Sequence, residues 1–140
     1  MASSFNKFQD FAEQVLKGVH NLDTHALKVM FTNSAPVATN TVFGDLTEIT
    51  AQNGYSSGGL SLDNNVVSET GGTAKLVIDD EVFTATGGSV GPFRYVVLYN
   101  DTAASDPLIG WYDYGSALTL ADGESITIDF DGTNGVLTLA

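Results

Sequence analysis

From residue 26 to the C-terminus, short runs of alternating apolar and polar residues are cut every few positions by turn dipeptides. Segments 26–31, 60–62, 66–70, 73–79, 82–86, 93–100, 108–112, 117–120, 125–130 and 136–139 read as strands. Gly71-Gly72, Asp79-Asp80, Gly87-Gly88, Asp122-Gly123 and Asn134-Gly135 punctuate them. Such dipeptides supply the positive φ angles that tight turns require. No helical pattern falls between the strands, so a parallel sheet with crossover helices is excluded. The expected fold class is mainly β: an antiparallel jelly-roll-like sandwich with one N-terminal amphipathic helix.

Individual segments carry more detail. In residues 125–131, Ile126, Ile128 and Phe130 alternate with Ser125, Thr127, Asp129 and Asp131, as on a sheet with one wet face. Residues 93–100 are apolar on both faces apart from Arg94 and Asn100, which predicts a central strand. Leu137 and Leu139 nearly end the chain, so the last strand is expected to be paired. Residues 32–40, containing Pro36, and 52–59, rich in Gly and Ser, read as loops. Residues 42–50 fit either a short helix or a strand.

The period differs at the N-terminus. Phe5, Phe8, Phe11, Ala12, Val15, Leu16 and Val19 recur at spacings of three and four, which predicts a helix over residues 3–18. Ser3 or Ser4 would cap its start and Gly18 would end it. Such a stripe either packs on its own domain or docks on a partner. Neither a repeat nor a linker divides the chain. It reads as one β domain over residues 1–140, with the helix in 1–20 and the sandwich in 25–140.

Composition narrows function mainly by exclusion. The chain has 140 residues, 17 Asp and Glu against 5 Lys and Arg, a net charge of −12, and no cysteine. Without cysteine there is no disulfide framework, thiolate nucleophile or thiolate metal site. Lys7, Lys17, Lys28, Lys75 and Arg94 are scattered, which argues against nucleic acid and anionic membranes as partners. No segment approaches the roughly 20 apolar residues of a membrane helix. The first residues show neither a basic region nor an apolar run, so no signal peptide is expected.

Several short motifs invite chemistry. Gly87-Gly88-Ser89-Val90-Gly91 matches the pattern of a hydrolase nucleophile elbow, but a helix should follow the serine and here Pro92 and a strand follow. Asp129 and Asp131 before Gly132-Thr133-Asn134-Gly135 could gather calcium ligands, although the EF-hand spacing fails. Asp79-Asp80-Glu81 reads as a solvated acidic turn. His20 and His25 fit no zinc spacing and sit where the helix hands over to the first strand. Asn100-Asp101-Thr102 is a glycosylation sequon, meaningful only after secretion. Trp111, Tyr112 and Tyr114, with Tyr95 and Tyr99, form an aromatic cluster suited to a sugar platform or to packing. Arg94, the sole arginine, sits in the most apolar strand; either it makes a buried or interfacial ion pair or its head reaches the sheet edge, and it is expected to be the charge whose loss matters most. These residues give no reason to assign a catalytic group, a metal ligand or a cofactor.

At GPFRYVVLYND (91–101), PLIGWYDYG (107–115) and DGESITIDFDGTNGVLTLA (122–140) the chain resembles small acidic capsid cement, or decoration, proteins of tailed bacteriophages, closest to those of podoviruses. The resemblance covers most of the chain, and its motifs are structural rather than catalytic. It implies a jelly-roll-like domain on the outer face of an HK97-type shell, contact with the major capsid protein, and self-association as a homodimer. The expected role is a non-enzymatic virion structural protein. Phe5, Phe8, Phe11, Arg94, Trp111 and Tyr112 are the expected interface residues. A carbohydrate-binding or adhesin-like sandwich, another head or tail virion protein, and a hydrolase on a β scaffold are the competing expectations.

Overall fold

The structure, a computed structural model, describes residues 4–140. Strands dominate and every ladder is antiparallel. In chain order they are β1 (Asn6–Lys7), β2 (Leu27–Thr32), β3 (Leu60–Ser61), β4 (Val66–Thr70), β5 (Thr73–Val77), β6 (Glu81–Thr84), β7 (Val90–Asn100), β8 (Leu108–Leu120), β9 (Ser125–Ile128) and β10 (Leu137–Leu139). Three sheets result, ordered β1-β8-β7-β2-β3, β10-β5-β4 and β6-β9.

The largest sheet is apolar on both sides. On one, Leu27, Val29 and Phe31 of β2 and Val96 and Leu98 of β7 join Leu76, Phe83, Ile126 and Ile128 from the smaller sheets, and Val136 just before β10, in the main core. On the other, Phe8 covers Met30, Val97, Tyr99 and Leu108, flanked by Phe43 and Trp111. Strand β7 lies between β8 and β2, the central place its two apolar faces predict. The wet-face alternation of residues 125–130 also holds: Ile126, Ile128 and Phe130 are buried and their neighbours are exposed. The final strand is paired, with Leu137 opposite Leu76.

Two expectations change. The helix is α1 (Asp10–Leu16), 7 residues long, not a helix over 3–18. Ahead of it, β1 pairs with β8, Asn6 opposite Trp111 and Lys7 opposite Gly110. The competing force is the open edge of β8, whose backbone groups would otherwise lack partners. Asn6 reinforces the strand by donating Nδ2 to the Trp111 carbonyl (3.4 Å). Ser3 lies outside the described residues, and Ser4 stands before β1, well short of the helix start. The C-terminal expectation survives: Gly18 has φ of +76°. Its N–H meets the Val15 carbonyl while Val19 N–H meets that of Gln14, a Schellman closure.

The second change is that 108–112 and 117–120 belong to one 13-residue strand. Tyr95 pairs with Asp113 and Phe93 with Leu118, so β8 carries extra residues between its two paired stretches. Tyr114 to Ala117 are exposed there, and Gly115 takes φ of +98°. The ambiguous 42–50 segment holds one 3-10 turn, Phe43–Asp45. Asp45 Oδ2 accepts the Thr41 and Val42 N–H groups, and these bonds lower its pKa.

Candidate interaction surface

The N-terminal segment crosses β8 through its phenylalanines. Phe5 packs on Tyr112 with centroids 5.3 Å apart, and Tyr112 reaches Phe130 at 6.0 Å. Phe8 lies 4.6 Å from the Trp111 ring, and Phe11 lies 5.0 Å from His20. Gly110 makes the crossing possible: a Cβ there would stand 2.2 Å from the Phe5 ring and 2.6 Å from the Asn6 carbonyl. A β-bulge sits opposite Leu98 and Tyr99, and Ile109 lies in the main core. Its carbonyl accepts Phe8 N–H at 3.1 Å.

This corrects the expected docking stripe. Phe8 and Phe11 are buried within the domain and Phe5 packs against its core, so the stripe is spent internally. Trp111 is half-buried with Phe8 packed on it, and Tyr112 is buried with its hydroxyl pKa pushed up to about 12 by desolvation. These aromatics therefore support the surface rather than form an open sugar platform. Of the cluster, Tyr114 is the exposed residue, at 45%.

Arg94 makes an ion pair, one of its expected placements, but at a half-exposed rather than a buried site. It pairs with Asp113 across the strands, Nε to Oδ1 at 2.8 Å and Nη2 to Oδ2 at 3.2 Å. The hydrogen bond from Arg94 holds the Asp113 carboxyl below its usual range, helped by Gly115 N–H. The two side chains are 40% and 37% exposed, so water screens the pair and its loss should be mild.

The surface that does stand open was not singled out from the sequence. A groove of about 590 Å³ runs between α1 and the β10-β5-β4 sheet. Cross-strand rows Val67–Leu76–Leu137 and Ala74–Leu139 form its sheet wall. Phe11, Val15, Leu16 and Leu22 line it from the other side. Leu16 is 88% exposed and Leu139 62%. Lys7 and Lys75, two of the five cations of a −12 chain, also line it. The only sequence signal was the apolar character of Leu16 and Leu139; the groove itself needs the tertiary placement of α1.

The remaining motifs resolve into local structure. Ser89 directly precedes β7, and no helix follows it. The histidines bond to Asn100 at the other end of β7, about 30 Å away at ordinary strand rise. The nucleophile-elbow reading therefore fails on geometry. Asp131 accepts bonds from Thr133 N, Asn134 N and Asn134 Nδ2, which hold its carboxyl low. Asp80 accepts Phe130 N–H, and Asp79 accepts from Asn64. Among the described residues, no cluster of three or more His, Asp or Glu is placed to hold a metal ion. Asn100, the sequon residue, is fully buried. Comparison with family models, with curated proteins and with solved structures finds no significant match.

Proposed function

We propose that this chain is a non-enzymatic virion structural protein that self-associates and binds the outer face of a capsid shell, bridging neighbouring major capsid proteins of HK97-type fold. The domain would be a jelly-roll-like sandwich, with the five-stranded sheet facing the two smaller ones across the main core. The location would be the capsid exterior, where acidity separates the protein from packaged DNA. The observation that carries the reading is the apolar groove beside α1: large exposed aliphatic side chains on one face of a domain whose other surface is strongly acidic. Contiguous apolar patches of this kind mark interaction sites. The N-terminal phenylalanines would stiffen the groove wall rather than enter the shell, and Arg94, Trp111 and Tyr112 would act from beneath the surface.

Particle purification tests the proposal. The protein should remain on intact capsids at a fixed ratio to the major capsid protein. Leu16→Asp with Leu139→Asp places charge on the groove rim at exposed positions, so folding should survive while occupancy on particles falls at least about tenfold. Full occupancy of that variant would reject the groove as the contact. Sedimentation of the free protein should give twice the 14.7 kDa chain mass; a monomer would reject the dimer.

A further inference from the structure

Buried His20 and Asn100 and half-buried His25 form a hydrogen-bond junction between the N-terminal segment and the end of β7. Asn100 Oδ1 accepts backbone N–H groups from Thr102 (3.0 Å) and Ala103 (3.2 Å). Those two donors fix which way the carboxamide points. Its Nδ2 then donates both hydrogens, one to His25 Nδ1 (2.9 Å) and one to His20 Nδ1 (3.1 Å). The Asn21 backbone N–H also donates to His25 Nδ1 (3.3 Å). In this arrangement Nδ1 is the acceptor of each imidazole, which is the tautomer with the proton on Nε2.

We infer that this junction is an acid-sensitive latch, closed while both imidazoles accept from Asn100 and released from β7 when His20 takes a proton on Nδ1. A protonated Nδ1 would face the Asn100 N–H donor directly, donor against donor. Flipping the amide would relieve that clash only by breaking the bonds to Thr102 and Ala103. The imidazole must otherwise leave, and His20 is joined to the segment that carries Phe8 and Phe11.

The surroundings support the neutral state. His20 is only 9% exposed and packs on the Phe11 ring. Among the described residues its Nε2 has no hydrogen-bond partner, so a charge there would be poorly solvated. Burial, then the neighbouring His25, lowers its pKa to about 4, against a smaller opposing pull from Asp10 of α1. Other charged groups lining the groove that His20 borders are Lys7 of β1, Asp23 of the intervening turn and Lys75 of β5. The carboxylate of Asp23 is engaged by Val67 N–H, and Lys75 reaches the Thr133 carbonyl. Asp101, next to Asn100, pairs with Lys28.

The test combines imidazole ¹⁵N NMR with amide exchange and tryptophan emission on the full chain. At neutral pH both Nδ1 atoms should be unprotonated; a proton on either overturns the latch. Between about pH 7 and pH 4.5, exchange protection at the Phe8 and Phe11 amides should drop by about tenfold or more, and Trp111 emission should shift as Phe8 withdraws. The central amides of Val97 and Leu98 should stay protected. Loss of their protection at the same pH, or no change at Phe8, overturns the proposal. The double variant His20→Phe, His25→Asn should lose the response; opening at the wild-type pH would assign it to carboxylates and overturn the latch. Asn100→Asp keeps an acceptor for Thr102 and Ala103 and offers a carboxylate to charged imidazoles. It should shift opening to lower pH by at least about one unit; equal loosening at every pH would reduce Asn100 to a structural role.

Discussion

Phe8 shows how much one side chain holds. It is fully buried, touches the only tryptophan, and roofs the face of the five-stranded sheet opposite the main core. Phe8→Ala should cost about 3–5 kcal/mol in denaturant unfolding and alter Trp111 emission. Tyr55 is held by two polar bonds instead. Its hydroxyl accepts Phe31 N–H (2.9 Å) and donates to Glu48 Oε2 (2.7 Å), and burial raises its pKa far above the ordinary value. Tyr55→Phe strands a buried N–H and should cost about 1–3 kcal/mol. His20 makes stability depend on pH. Its folded pKa lies near 4, below the unfolded value, so the unfolded chain binds the extra proton between about pH 6.5 and 4. Its contribution is therefore complete above about pH 6.5 and lost as pH falls to about 4, up to about 3 kcal/mol in equilibrium unfolding. Replacing Arg94 by Gln should cost less than about 1 kcal/mol, because its ion pair is well solvated.

At the scale of elements, the strands with clear alternation or doubly apolar faces were legible, and so were their turns. Gly71 and Gly72 join β4 to β5 with φ of +61° and +88°, the mirror-image turn that hairpins prefer. Gly72→Val should loosen the hairpin by about 1–2 kcal/mol, read as faster amide exchange across β4 and β5. The N-terminus was misread because Phe5, Phe8 and Phe11 share a helical spacing, while the deciding factor was an edge of β8 more than a hundred residues away. No local signal reports such an edge. The same is true of the groove: Leu16 belongs to the helical stripe, and only the position of β10 shows that nothing covers it within the described residues. The histidine junction was half legible. Its residues stand out as the two histidines and the polar end of an apolar strand, but their convergence on one amide is tertiary.

For the whole molecule the dominant number is the charge of −12. Many acids that looked like free surface are tied to backbone N–H groups in turns, as with Asp45, Asp80, Asp122 and Asp131. Tying them locally stabilises turns but does not remove their mutual repulsion. Raising salt from about 20 mM to about 500 mM should therefore raise the melting temperature by a few degrees; a fall would mean that the few ion pairs outweigh the repulsion. The sheet order has a separate consequence during synthesis. Strand β2 ends at Thr32 and its partner β7 begins at Val90, while β1 waits for β8, which starts at Leu108. Phe8, Phe11, Met30 and Phe31 thus leave the ribosome long before the strands that bury them. The segment that carries these residues is made before its partners and seated among the last, so a growing polypeptide carries its stickiest residues unprotected until β7 and β8 have emerged, and chaperone binding to the nascent chain should fall once β8 is complete.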